Sequence, residues 1–355
     1  MSYHSNDNRP RYRYEGYTFQ EEEYQVDKER EQRKRQFIRR KKRKRLIKRM
    51  IFAILMIVSI SVGHVAAKLE VRINHALNVI VRNTEDDLST VDLSGIETVS
   101  DDEVINVLLV GSDKRTDWTE SGRSDSVMIG TLDMKNKQLK ITSLMRDMYV
   151  SIPGYADNRF NAAYSFGGVS LVYQTIAKNF GLSLDGYVIV DFDAFISVID
   201  TIGGVDITLT DAEQEYLVTA YKKGTVTKVK KGLNTLNGKQ ALAYTRIRQD
   251  SQGDFGRTER QRKVLQAIFM KVKAMSLTEI FDLAEEVLPY ITTDLTNDEI
   301  YSYVTSIIKL GTTEINQFRI PIDHSYTNEK IREMAVLVPD LEANRQALYS
   351  FIFGE

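Results

Sequence analysis

Arginine and aspartate must carry whatever chemistry this chain performs, because the other usual groups are missing or misplaced. Cys is absent, and the only His residues are His4, His64, His75 and His324. That excludes disulfides, thiolate metal sites and Cys nucleophiles. A Ser-His-Asp triad or a multi-His zinc centre would have to rest on His324 alone, since the other three lie before the main domain. Charged residues instead recur where short apolar runs end: Asp113-Lys114-Arg115, Gly122-Arg123-Ser124-Asp125 and Arg146-Asp147. A further group is Tyr244-Thr245-Arg246-Ile247-Arg248 with Asp254, Arg257, Arg260 and Gln261. Guanidiniums are planar, permanently charged and fork-shaped, so several converging on one cleft suit a pyrophosphate. Arg246 and Arg248 share alternation parity and in an extended segment point the same way, where they repel unless an anion lies between them. Asp113 and Asp125, each at a strand-edge loop, suit a hard divalent cation such as Mg²⁺. The competing reading is that these Arg and Asp residues simply pair with one another in a surface network, and charge counting leaves the two readings even.

The elements that must position these residues alternate between strand and helix. Residues 104–110 read as a buried central strand, and 126–132 with 139–144 as a hairpin around Lys135-Asn136-Lys137. Residues 161–180 read as a helix stopped by Gly181, 187–192 as a strand, and 193–202 as a helix stopped by Gly203-Gly204. Strand character returns at 205–209, helical spacing at 258–275 and 296–309, and an edge strand at 318–321. The pattern predicts an α/β fold: a central mixed sheet with helices on both faces, a three-layer α/β/α sandwich. Its charged loops would gather at one sheet edge.

Ahead of this domain the composition changes abruptly. Residues 1–49 hold 17 Lys+Arg and 8 Asp+Glu, leaving 31 and 41 for the remainder, so the near-zero net charge hides two oppositely charged parts. The stretch from Met50 to Ala67 has no permanently charged side chain and follows the run from Arg39 to Arg49. Eighteen residues at ~1.5 Å rise span roughly 27 Å, about a bilayer core. We expect a disordered basic cytoplasmic tail (1–49), a signal-anchor transmembrane helix (50–67), a stalk (68–100) and an extracytoplasmic domain (101–355), in single-pass type II topology. A buried core helix fits the charge step less well, and the 49 residues ahead are too many for a cleaved signal peptide. The basic run then touches anionic lipid rather than nucleic acid.

Several ordered motifs resemble the LytR-CpsA-Psr family. They are Gly122-Arg123-Ser124-Asp125-Ser126, Ser143-Leu144-Met145-Arg146-Asp147, Asn158-Arg159-Phe160-Asn161 with Gly167-Gly168, Asp200-Thr201-Ile202-Gly203-Gly204, the run from Leu236 to Arg248, and Asp254-Phe255-Gly256-Arg257-Thr258-Glu259-Arg260-Gln261. Met145 stands where the family often has Pro. The resemblance implies a phosphotransferase of cell-wall assembly, which moves a teichoic acid, capsule or related glycopolymer from a polyprenyl-pyrophosphate donor to peptidoglycan. It implies metal binding by Asp113 and Asp125, with Mg²⁺ as cofactor or Mn²⁺ in its place. It implies pyrophosphate binding by Arg123, Arg146, Arg246, Arg248 and Gln261, with Arg159 as a basic neighbour. Arg123, Arg146, Asp254 and Arg257 are then the residues expected to carry catalysis, the last two as a pair at the mouth. Residues 169–177 and 187–202 are expected to line a pocket for the lipid tail. Two rival functions remain: hydrolysis of the same donor, with water as acceptor, and a membrane-bound transcriptional attenuator. No helix-turn-helix pattern appears in residues 1–49, so no nucleic-acid partner is expected.

Overall fold

The computed structural model describes residues 24–35, 37–44, 48, 50–52, 56, 68, 71–72, 75, 77–82, 87–112, 124–221, 228–248, 253–312 and 314–354. They fall into two compact units, residues 1–71 and 72–355. In the first, residues 24–35 and 37–44 are helical and exposed, where composition predicts disorder. Local terms account for the helix: Lys, Arg and Glu are good helix formers, and Glu29–Arg33 and Glu31–Arg35 pair one turn apart at 3.3 and 3.1 Å. The anchor expected over 50–67 lies largely outside the described residues. Among those described, no helix is long and apolar enough to cross a membrane.

The second unit is organised around a mixed sheet. Its strands are β1 (Val81–Arg82), β2 (Val104–Ser112), β3 (Ser124–Asp133), β4 (Gln138–Leu144), β5 (Tyr149–Val150), β6 (Asn158–Arg159), β7 (Gly186–Asp191), β8 (Val205–Leu209), β9 (Gly232–Leu236), β10 (Ile291–Thr293), β11 (Ile315–Ile320), β12 (Tyr326–Ile331) and β13 (Met334–Pro339). Its helices are α1 (Ala162–Phe180), α2 (Phe192–Thr201), α3 (Asp211–Glu215), α4 (Gly238–Tyr244), α5 (Gly253–Ala274), α6 (Leu277–Val287), α7 (Asn297–Leu310) and α8 (Leu341–Phe353). Seven strands form the main sheet in the order β1-β10-β7-β2-β3-β4-β11. β7 and β2 run parallel, as do β4 and β11, while β2-β3-β4 is an antiparallel meander.

Both faces of this sheet are covered, for different purposes. On one face Leu108, Val110, Val127, Ile129 and Leu144 pack with Val172 and Ile176 of α1 and Leu348 and Ile352 of α8. Each such side chain contributes roughly 1.5–3 kcal/mol on burial. Alternation sends Leu109, Met128 and Ser143 to the opposite face, toward α2 and α5. A second core joins β8 and β9 to α2, α4, α5 and α6.

The expected strands and glycine stops fall where the sequence places them, with three amendments. The helix over 161–180 is interrupted, because Gly168 adopts φ 62°, ψ −156°, a conformation open essentially to glycine alone. Gly181 then closes the helix at φ 63°. Residues 77–82 and 87–100, expected as part of a stalk, pack into the domain: Leu77, Ile80 and Leu88 are buried, β1 pairs with β10, and the Leu88 amide donates to Asp294. The sparse apolar residues of that stretch are the ones that anchor it. Helix α5 begins at Gly253 rather than 258, so Asp254 and Arg257 lie on helix instead of in a loop.

Gly238 carries a further constraint. It opens α4 beside α2, its amide donates to Asp200 Oδ1 at 2.7 Å, and a Cβ there would sit 2.7 Å from Ile196 Cα and closer still to the Ile196 carbonyl oxygen. Main-chain atoms cannot yield as a side chain does. Gly238→Ala should therefore lower the urea unfolding free energy by about 1–3 kcal/mol, and an unchanged midpoint would contradict this packing.

Candidate functional site

β2, β4, β7 and β11 all end at the edge of the sheet where β3 begins. In open α/β sheets this edge, at the carboxyl ends of parallel strands, is where ligands bind. Arg146 and Asp147 follow β4 directly, and Asp191 ends β7, where it caps α2 by accepting from the Ala194 amide at 2.7 Å. Arg146, Asp147 and Asp191 thus come to the same edge.

Arg246 and Arg248 arrive by a route that alternation does not describe. Asn237 starts α4 with a capping box: its side chain accepts from the Gln240 amide, and its own amide donates to Gln240 Oε1. Ala241, Ala243 and Tyr244 are buried against the second core. After Thr245 the chain turns, with the Arg246 amide donating to Ala243 O at 3.1 Å. Arg246 is therefore in a helix-ending turn rather than an extended segment, yet both it and Arg248 line the same cavity.

That cavity, about 260 Å³, has a charged wall and an apolar wall. Arg246, Arg248, Arg257 and Gln261 form the first, and Leu109, Met128, Val190, Phe192 and Phe195 line the second, with Leu242 and Leu265. The Arg246 guanidinium carbon stands 4.8 Å from the Phe192 ring centroid, a cation–π contact that joins the walls. Gln261 Oε1 accepts from Ser126 Oγ at 3.2 Å. Arg257 is only 2% exposed and donates to Asp254 Oδ2 at 2.9 Å. Asp254 Oδ1 lies 3.4 Å from Arg146 Nε, and Asp147 lies 3.6 Å from both Arg146 and Arg159. Burying a guanidinium needs such pairing, so the mutual network left open by charge counting is real for Arg146, Arg159 and Arg257. It does not balance the charge. Among the described residues that line the cavity, Arg246, Arg248 and Arg257 outnumber Asp191.

Not every expected residue joins it. Arg159 Nη2 donates to Ala335 O at 2.6 Å, which ties it to β13 outside the cavity lining. Arg260 is structural: its Nε donates to Glu213 Oε1 at 2.7 Å within the second core, close to Tyr244. Burial, and next the Glu213 charge, push the Tyr244 phenol far above its ordinary range. Asp113 and Arg123 lie outside the described residues, and only the backbone of Asp125 is described. Among the described residues no group of three His, Cys, Asp or Glu could hold a metal. Of the expected lipid-lining segments, Val190, Phe192 and Phe195 reach the cavity, whereas Val169, Val172 and Ile176 belong to the core on the opposite sheet face. Leu109, Met128, Ser126 and Leu265 were not anticipated; the only sequence signal is the second parity of β2 and β3, which looks like ordinary burial.

The LytR_cpsA_psr family profile matches residues 71–349. Regulatory protein MsrR of Staphylococcus aureus is 31% identical over 258 residues, which cover 72% of this chain and 76% of MsrR. The polyisoprenyl-teichoic acid–peptidoglycan teichoic acid transferase TagU of Bacillus cereus is 38% identical over 208 residues, 58% of this chain and 65% of TagU. Among solved structures, TagT bound to LI-WTA is 25% identical with TM-score 0.61, over 77% of this chain and 99% of that one. B. subtilis TagV is 30% identical with TM-score 0.56, over 72% and 99%. The profile match, the relatives and the shared sheet agree: the chain belongs to the LytR-CpsA-Psr family.

Proposed function

We propose that this protein transfers a glycopolymer from a polyprenyl-pyrophosphate donor to peptidoglycan and releases polyprenyl phosphate. The observation that carries this reading is the two-walled cavity, in which guanidiniums and Gln261 meet an apolar lining at one sheet edge. A pyrophosphate attached to a lipid needs both. At about 260 Å³ the cavity is slightly below the roughly 300–1,000 Å³ of typical ligand sites, so it suits the head and the first part of the chain. The transferase name of TagU supports the same activity.

In the reaction a peptidoglycan hydroxyl, taken as the C6 hydroxyl of a muramic acid residue, attacks the phosphorus nearest the glycan. A new P–O bond forms, the bridging P–O bond breaks, polyprenyl phosphate leaves with the electron pair, and the hydroxyl proton passes through water to that departing phosphate. Negative charge spreads over the non-bridging oxygens, where Arg146, Arg246, Arg248 and Arg257 stabilise it without a covalent intermediate. Asp254, shared between Arg146 and Arg257, orients them rather than reacting. We assign Asp113 and Asp125 to a divalent cation, Mg²⁺ or Mn²⁺, which would neutralise phosphate charge. Ser112 and Ser124, their sequence neighbours, are paired across β2 and β3 at this same edge. Residues 50–67 would anchor the domain on the outer membrane surface, where a lipid-borne donor also resides.

The test is incubation of the full chain in lipid with lipid-linked donor and peptidoglycan, with and without a chelator. We expect polymer covalently attached to peptidoglycan, lost on chelation and regained with Mg²⁺. Release of free glycan phosphate without attachment would replace this reading with hydrolysis.

A further inference from the structure

The motif from Asn158 to Gly168 brings Arg159 to Asp147 beside the site, but the rest of it has no part in the pyrophosphate reading. Its second half ends on an exposed aromatic. Phe166 is 42% exposed, and Tyr155, from the loop between β5 and β6, is 51% exposed. The two rings are stacked, with centroids 4.8 Å and planes 22° apart. Neither is loose. Ile152 is buried, and its carbonyl accepts from the Tyr155 amide at 3.0 Å. Ser151 is tied to Asn179 of α1, its amide donating to Oδ1 at 3.2 Å and its carbonyl accepting from Nδ2 at 2.8 Å. Tyr155 Oη donates to the Phe166 carbonyl at 3.4 Å. The break at Gly168 then separates Phe166 from the part of α1 that enters the core at Val169.

Two rings fixed side by side and open to water offer a flat apolar surface to a ligand. That surface stands close to the reacting centre. The Asn161 amide donates to the Arg146 carbonyl at 3.1 Å, and at ~1.5 Å rise per residue Phe166 lies roughly 8 Å farther along the helix. It also stands on the side that the reaction requires. α1 packs on one face of the sheet, and the cavity lies on the other, with α5. Phosphoryl transfer is roughly in line, so the hydroxyl attacks from the side away from the leaving group. With polyprenyl phosphate leaving into the cavity, the acceptor arrives over the α1 side of the sheet edge. The charges near the pair bear on which polymer fits. Arg159 is engaged by Asp147, and Arg332 donates to the carbonyl of Asp157, whose exposed residue carries its own negative charge. Cations there are thus offset, which suits uncharged sugar rings rather than a phosphate-rich chain.

We propose that Tyr155 and Phe166 form a docking platform for the acceptor, stacking on the C–H faces of the N-acetylated sugar rings of a peptidoglycan glycan strand. The platform rests on the transferase reading, which sets the side from which the hydroxyl comes. Binding of the strand itself needs neither donor nor transfer.

The test uses full-length protein with Tyr155→Ala, Phe166→Ala, the double variant and Tyr155→Trp, which keeps a flat ring. Both positions are exposed, so the unfolding midpoint should shift little. The probes, titrated by calorimetry, are a peptide-free glycan tetrasaccharide, a glycerol-phosphate oligomer and a short polyprenyl pyrophosphate lacking any glycan. We expect the tetrasaccharide to bind about three- to tenfold more weakly to each Ala variant and at least about tenfold more weakly to the double variant. Tyr155→Trp should stay close to the parent, and polyprenyl pyrophosphate binding should hold throughout. In transfer assays the KM for the glycan acceptor should rise while that for the donor holds. Equal tetrasaccharide binding by the parent and the double variant overturns the platform. So does a loss confined to the glycerol-phosphate oligomer, or an equal loss of polyprenyl pyrophosphate. Tetrasaccharide binding that is lost in the double variant, with no transfer by the parent, keeps the platform and removes the transferase reading instead.

Discussion

Arg246→Ala is expected to cut the rate of polymer transfer by at least about 10²–10³-fold, the usual cost of removing one preorganised donor from a site where charge develops. Arg246 has no part in either core cluster; its guanidinium lies over Phe192 and lines the cavity. The unfolding midpoint should therefore change little. Arg246→Lys keeps the charge but loses the fork that spans two phosphate oxygens, so it should restore only part of the rate. Single-turnover assays with lipid-linked donor measure both. Transfer by the Ala variant at the parent rate would remove the anion-site account.

Lys140→Ala should do the reverse, costing stability without touching chemistry. Lys140 and Asp133 are 3% and 0% exposed and meet at 2.6 Å, and the ammonium also donates to Ile352 O of α8 at 2.9 Å. Removing one partner of a buried pair strands the other, at about 3–5 kcal/mol. Urea unfolding would show it; a loss below about 1 kcal/mol would mean that water reaches Asp133. Lys140→Met combined with Asp133→Asn should recover much of the loss. The pair also predicts an acid limb. Burial alone would raise the Asp133 pKa, but Lys140 and Asn136 outweigh it and hold the carboxyl below its ordinary value. A folded-state pKa below the unfolded value gives stability that is present above the unfolded pKa and lost as pH falls through the folded one. The parent should therefore lose stability toward low pH more steeply than the double variant. Because Lys140 faces α8, opposite the cavity, the transfer rate per folded molecule should hold.

Sequence made some of this legible and hid the rest for identifiable reasons. Glycine stops at Gly181 and Gly203, the branched run of β2 and the polar turn between β3 and β4 are local signals, and they placed the strands that carry the site. The β12–β13 hairpin carries none, since its turn residues Arg332 and Glu333 take φ 47° and 65° without the Gly or Asn that usually marks such a turn. α8 had signals at both ends, Asp340 capping the Ala343 amide and Gly354 at φ 78°, but its docking on β3 and α1 is long-range. The motif residues Arg246, Arg248, Arg257 and Gln261 do converge. Arg260 does not, since its spacing equally fits a salt bridge inside the second core.

The contact of Gly238 with Ile196 links the two walls of the cavity. α2 begins with Phe192 and Phe195 on the apolar wall, and the turn after α4 delivers Arg246 to the charged wall. Where the two helices touch, the spacing is set by main chain against main chain, with the Asp200 bond to the Gly238 amide as its clasp. The aperture offered to a ligand is thus insulated from mutational drift in the surrounding side chains. Repacking the core would erode stability well before it changed what fits between the walls.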